Sequence, residues 1–129
     1  MRIEHIAMWT NQLEQMREFY VRYFHAKAGS KYQNTAKHFE SYFISFSSGA
    51  RLELMSGPDL CEVKNENGEP SVGYTHVSYA CGSEAGVDEL IERMRKDGYR
   101  VEDGPRHTGD GYYEGVVLDP DGNRIEITV

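Results

Sequence analysis

The sequence is poor in the features that most quickly assign a protein to a class. Its two cysteines, Cys61 and Cys81, are too few for a disulfide scaffold, so a reducing, cytoplasmic setting is the expectation. Lys and Arg form no basic cluster, and the formal net charge is -7. That balance weighs against nucleic acid as a partner, because phosphate binding needs a basic patch. No apolar run reaches membrane-spanning length, and the opening MRIEHIAMWT lacks the basic start and apolar stretch of a signal peptide. No membrane partner is expected either. What remains is 129 residues, 27% charged and 39% hydrophobic, the makeup of one soluble domain able to bury a core.

The chain reads as one order of elements written twice. RIEHIAMW (2–9) alternates as a strand, and Asn11 with Glu14 three residues on reads as a helix cap and capping box. Leu13, Met16, Tyr20 and Tyr23 then recur at helical spacing over about 11–24. AKAGSKY, HFESYFISF and ARLELMS follow as three strands, with SSGA as a tight turn between the last two. In the second half YTHVSYAC (about 74–81) is a strand, and Ser83 caps a helix with the stripe Val87, Leu90, Ile91 and Met94. Gly98 stops that helix. YRVED and YYEGVVLD are strands, and DPDGN turns the chain into RIEITV. Residues 57–73 have linker composition. The predicted fold is α+β: a single domain, 1–129, of two tandem βαβββ modules at about 1–56 and 74–129. They form a curved mixed sheet with helices outside and a concave side left for a small-molecule ligand.

Aligning the halves sets His5 beside His76 and Glu53 beside Glu126. Neighbouring strand residues face opposite sides. Glu53 opposes Leu52 and Leu54, and Glu126 opposes Ile125 and Ile127, so both carboxylates leave the apolar face. His76 opposes Val77, and His5 opposes Ile6, although Ile3 shares the parity of His5. Cys81 has the opposite parity from His76 and is expected outside the site. Taken singly, a strand Glu is a solvated residue and a lone His a packed one. Four such residues in equivalent places of both modules instead match a divalent-metal site with open positions for water or substrate. His25, His38 and His107 have no such counterparts.

These residues carry a resemblance. MRIEHIAM, MREFYVRYF, RLELM, YTHVSYAC and LDPDGNRIEI are similar to the vicinal oxygen chelate superfamily, and within it to small bacterial glyoxalase I enzymes (lactoylglutathione lyases). The resemblance spans almost the whole chain. It implies a metal set of His5, Glu53, His76 and Glu126, holding one divalent ion (Ni, Zn, Co, Mn or Fe). It also implies a lyase or isomerase acting on an α-hydroxycarbonyl or hemithioacetal through an enediolate, with Glu126 as the base and Glu53 as its counterpart. A homodimer and a thiol cosubstrate are further implications.

Related enzymes offer alternatives: a thiol transferase of the fosfomycin-resistance type, a dioxygenase or an epimerase. A bleomycin-resistance-like binding protein without metal is another, although the four-residue set argues for an enzyme. Two features depart from glyoxalase I. Trp9 stands near the place where that family carries an Arg on its first strand, and GPRHTGDGYY replaces a more Lys- and Gly-containing loop. Arg106 remains available to a carboxylate. Trp9, Tyr112 and Tyr113 are candidates to line the pocket, and GPRHTGDG reads as either a lid or a plain connecting loop.

Overall fold

The computed structural model describes residues 1–61 and 72–129, so most of the 57–73 linker lies outside the described residues. The chain divides into two compact units, Met1–Lys64 and Asn65–Val129. Among the described residues each unit has one α-helix and its own mixed sheet. The α+β architecture is as expected, with one hydrogen-bonded ladder in each unit rather than a continuous one.

In the first unit the elements are β1 (His5–Trp9), α1 (Leu13–Tyr23), β2 (Lys27–Ala28), β3 (Tyr32–Asn34), β4 (Phe39–Ser45) and β5 (Arg51–Ser56). The sheet order is β1-β5-β4-β2, with β3 paired to β4, and only β1–β5 is parallel. Leu52 and Leu54 of β5 and Ile44 of β4 are buried with Met16, Phe19, Tyr20 and Tyr23 of α1. Each such side chain contributes about 1.5–3 kcal/mol by leaving water. The register puts Ile6 and Met8 on that same face, opposite Leu52 and Leu54. His5, Ala7 and Trp9 are left on the other face with Arg51, Glu53 and Met55.

Two local expectations change here. Asn11 does not cap α1: the cap position is Gln12, without a side-chain cap bond. Buried Thr10 sets this entry, accepting from the Gln12 amide at 3.0 Å and donating its own amide to the Met55 carbonyl at 2.8 Å. Glu14 then falls one position short of a capping box. AKAGSKY is not one strand either, because it splits between β2 and β3. A 3₁₀ turn, Thr35–Lys37, follows, capped by Asn34 Oδ1 accepting from the Lys37 amide at 3.1 Å.

The second unit runs β6 (Val77–Ala80), α2 (Glu84–Lys96), β7 (Val101–His107), β8 (Tyr113–Leu118) and β9 (Arg124–Thr128), in sheet order β6-β9-β8-β7. Again only the first and last strands pair in parallel. Ser83 caps α2, its Oγ accepting from the Gly86 amide at 3.1 Å. At the other end Gly98 has φ +91, and the amides of Gly98 and Tyr99 return to the carbonyls of Arg95 and Met94. This closes the last turn as a left-handed glycine permits. Val87, Ile91 and Met94 are buried with Val117, Ile125 and Ile127, while Leu90 is only half-buried. A Cβ at Gly115 would lie 3.1 Å from Ile91 Cδ1, so helix and strand meet closely there. The DPDGN turn holds together around buried Asp119, whose Oδ1 accepts from the amides of Asp121 and Asn123.

YRVED extends further than expected. Its strand continues through Gly104 and Pro105 to His107, with register shifts against β8 near Asp103. A bulge accommodates Gly and Pro in this way. GPRH is therefore strand rather than lid, and the turn is confined to Thr108–Tyr112, where each end bonds the other.

Candidate metal centre

In the first unit β1 begins at His5, so Ile3, which is exposed, lies before the strand and does not compete for its parity. His5 Nε2 faces Glu53 Oε2 at 3.8 Å. That exceeds hydrogen-bond length and leaves the two donor atoms beside one another without a bond. The other ring nitrogen, Nδ1, is engaged by the Glu4 carboxylate, which also accepts from Arg51. A proton on Nδ1 leaves the Nε2 lone pair free for a ligand, the arrangement that carboxylates impose on metal-binding imidazoles. The bond from His5, reinforced by Arg51, holds the Glu4 carboxyl below the ordinary carboxylate range. Phe43 sets its ring edge against His5, centroids 5.5 Å apart, and Arg51 lies over the same phenyl ring at 4.0 Å.

The second unit repeats the pair. His76 Nε2 lies 3.4 Å from Glu126 Oε2. His76 itself stands just before β6 rather than within it, because the strand starts at Val77. Ser78, the register partner of Glu126, donates from Oγ to Glu126 Oε1 at 2.7 Å. That fixes one carboxylate oxygen and leaves the other toward the imidazole. The side-chain exposures match between units: 16% for Glu53 and 17% for Glu126, 41% for His5 and 39% for His76. Within either unit, no group of three or more His, Cys, Asp or Glu among the described residues could hold a metal ion. Each unit thus supplies one imidazole and one carboxylate.

The sequence profile of the Glyoxalase/Bleomycin resistance protein/Dioxygenase superfamily matches residues 2–127. The chain belongs to this superfamily. A relative in Bacillus subtilis (strain 168), the uncharacterized protein YqjT, is 28% identical over 133 residues, covering 97% of this chain and 96% of that one. Among solved structures, the trypanothione-dependent glyoxalase I of Leishmania major is similar with a TM-score of 0.75 and 23% identity, over 99% of this chain and 86% of that one. Lactoylglutathione lyase from Agrobacterium tumefaciens is similar with a TM-score of 0.68 and 22% identity, over 98% and 91%. These two structural likenesses are likenesses of fold.

Other residues of this superfamily member fall differently from expectation. Tyr113 does not share the face of Glu126: its hydroxyl donates to Asp88 of α2 at 2.7 Å. Tyr112 is exposed in the Thr108–Tyr112 turn. Arg106 is paired within its own strand, with Nη2 2.5 Å from Asp103 Oδ2. Cys81 lies past the end of β6, near the Thr128 and Ser83 carbonyls, and both cysteines are free and exposed. His107 packs on the Tyr113 ring, and His25 and His38 occupy left-handed backbone positions.

One residue was missed. The register pairs Glu114 with Thr128 and Val116 with Glu126, so Glu114 stands diagonally from Glu126 on one sheet face. Burial, then the charge of Glu126, pushes the Glu114 carboxyl above the ordinary carboxylate range. The same parity rule, applied to YYEGVVLD, would have found it. Among the described residues, no helix is long and apolar enough to cross a membrane.

Proposed function

We propose that this chain is a divalent-metal-dependent lyase or isomerase of the glyoxalase I kind, cytoplasmic and homodimeric. Its substrate is an α-hydroxycarbonyl compound or a hemithioacetal formed with a thiol. His5, Glu53, His76 and Glu126 would hold one ion. The observation carrying this reading is the repetition of one pair: an imidazole Nε2 and a carboxylate oxygen 3.8 Å apart in one unit and 3.4 Å apart in the other. Two imidazoles with two carboxylates suit a borderline divalent metal and leave room for substrate oxygens.

When bound, the ion would supply Lewis acidity to neighbouring substrate oxygens and make the adjacent carbon-bound hydrogen acidic. The chain's own groups do the rest. Glu126, once loosened from the ion, takes that proton through Oε2, the oxygen not engaged by Ser78, and returns it to the neighbouring carbon. Glu53 is its counterpart in the other module. Glu4 keeps His5 in the tautomer that presents Nε2.

Elemental analysis of the purified protein, beside His5→Ala and Glu126→Gln, tests the reading. About one divalent ion per site is expected, lost in His5→Ala and retained in Glu126→Gln. Turnover of hemithioacetals and other α-hydroxycarbonyl compounds should vanish in Glu126→Gln, and full activity there overturns the base assignment. Failure to take up Ni, Co, Zn or Mn overturns the enzyme reading in favour of a metal-free binding protein.

A further inference from the structure

We propose that a concavity of the first unit, bounded by Trp9, Tyr32 and Phe39 with Lys37 at its edge, binds the planar aromatic end of an arylalkyl carboxylate. The hollow measures about 470 Å³, and Asn34, Gly57, Pro58 and Leu60 complete its lining. Phe39 stands between the other two rings. Its centroid is 5.9 Å from Trp9, at 85°, and 6.1 Å from Tyr32, at 59°. One pair is edge-to-face and the other tilted, so ring faces and edges remain for a further ring to engage. Trp9 is 53% and Tyr32 55% exposed, so the rings present apolar surface that an occupant would cover.

Gly57 makes room for this arrangement. A Cβ there would lie 3.3 Å from Trp9 Cζ3, and its backbone is outside the left-handed region. Clearance for the indole, and not backbone freedom, is therefore what a glycine provides at this position. Lys37 supplies the charge. Its backbone is fixed by the Asn34 side chain at 3.1 Å, and among the described residues its ammonium has no ion-pair partner. An aromatic slot with an uncommitted cation at its edge fits a ring carrying a carboxylate.

The place of the slot connects it to the proposed site, and the identity of its occupant as substrate rests on that reading. Trp9 and His5 share one face of β1, ~13 Å apart along the strand, and Glu53 lies on the same face of β5. A substrate with reacting oxygens at the His5–Glu53 pair would extend its aromatic acid along this face.

Trp9 is the only tryptophan, so its emission reports directly on the slot. The experiment is a titration of metal-free protein with phenylacetate, phenylacetamide and cyclohexylacetate, followed by Trp9 fluorescence. Phenylacetate should give a saturable change, with the amide binding about threefold more weakly. Cyclohexylacetate should bind about fivefold more weakly than phenylacetate. In Lys37→Ala the acid should bind no better than the amide, and Tyr32→Ala should weaken both together. Both replaced side chains are exposed, and unchanged circular dichroism confirms the fold. Absence of a saturable change, or equal binding of all three compounds, overturns the proposal. Because no metal is present, phenylacetate binding by a chain that takes up no ion sinks the enzyme reading alone, and ion uptake without phenylacetate binding sinks the slot alone.

Discussion

Ser78 and Glu126 are register partners across the parallel β6–β9 ladder, and the serine hydroxyl holds Glu126 Oε1 at 2.7 Å. A carboxylate fixed through one oxygen presents the other in a defined direction, here 3.4 Å from His76 Nε2. Ser78→Ala should therefore weaken divalent-ion affinity about tenfold, measured by calorimetry on metal-stripped protein. An unchanged affinity would mean that the ladder alone places Glu126.

Glu4 has the corresponding part in the first unit, through the imidazole rather than the carboxylate. Glu4→Ala should lower ion affinity about tenfold with little change in thermal midpoint, because the Glu4 side chain is half exposed. Glu4→Gln retains an acceptor for Nδ1 and should recover most of the affinity. If the two variants lose affinity equally, orientation of the ring is not what Glu4 contributes.

Gly104 occupies a place where no other residue fits. Its φ is +71, and an added Cβ would sit 2.5 Å from the Glu114 carbonyl oxygen and 2.9 Å from Gly115 Cα. Gly104→Ala should cost about 3 kcal/mol, combining strain with a forced shift of β7 against β8. Urea unfolding measures it. A loss below about 1 kcal/mol would show that the irregular β7–β8 pairing absorbs the methyl group.

Lys31 bridges two carboxylates, 3.0 Å from Glu14 Oε1 of α1 and 3.0 Å from Glu40 Oε2 of β4. The bond from Lys31 holds the Glu14 carboxyl below its ordinary range, while Gln33 and then Lys31 do so for Glu40. Stabilisation from lowered carboxyl groups is present above the ordinary carboxylate range and is lost as pH falls through the lowered values. Lys31→Met should consequently be less stable than the parent near neutrality, with the urea midpoints converging in acid. A difference that stays constant with pH would assign the loss to the contact of the Lys31 ammonium with the Tyr42 ring.

Legibility in the sequence followed how local each determinant is. α2 was readable from end to end because Ser83, the apolar stripe and Gly98 all lie within the helix or beside it. The start of α1 was not, since Thr10 takes its geometry from the Met55 carbonyl on β5. Gly104 and Pro105 read as loop, yet the pairing of Asp103 and Arg106 with β8 on either side of them carries the strand through. Parity separated Glu53 from Leu52 and Leu54 because β5 is regular and one face of it is buried. His76 was placed inside a strand that starts one residue later, which left its pairing with Glu126 legible and its local conformation not. The short turn that positions Lys37 has no periodicity to read.

The parallel pairing of first and last strands also sets an order of events. Glu4 and Arg51 are 47 positions apart, and Ser78 and Glu126 are 48. Contacts of such sequence distance form after nearer ones, because a long loop must close before they repay its entropy. Each His–Glu pair therefore comes into being only when the final strand of its module docks. During synthesis His5 would emerge early and wait for β5, so the two atoms that face one another mark the completion of a module rather than its beginning.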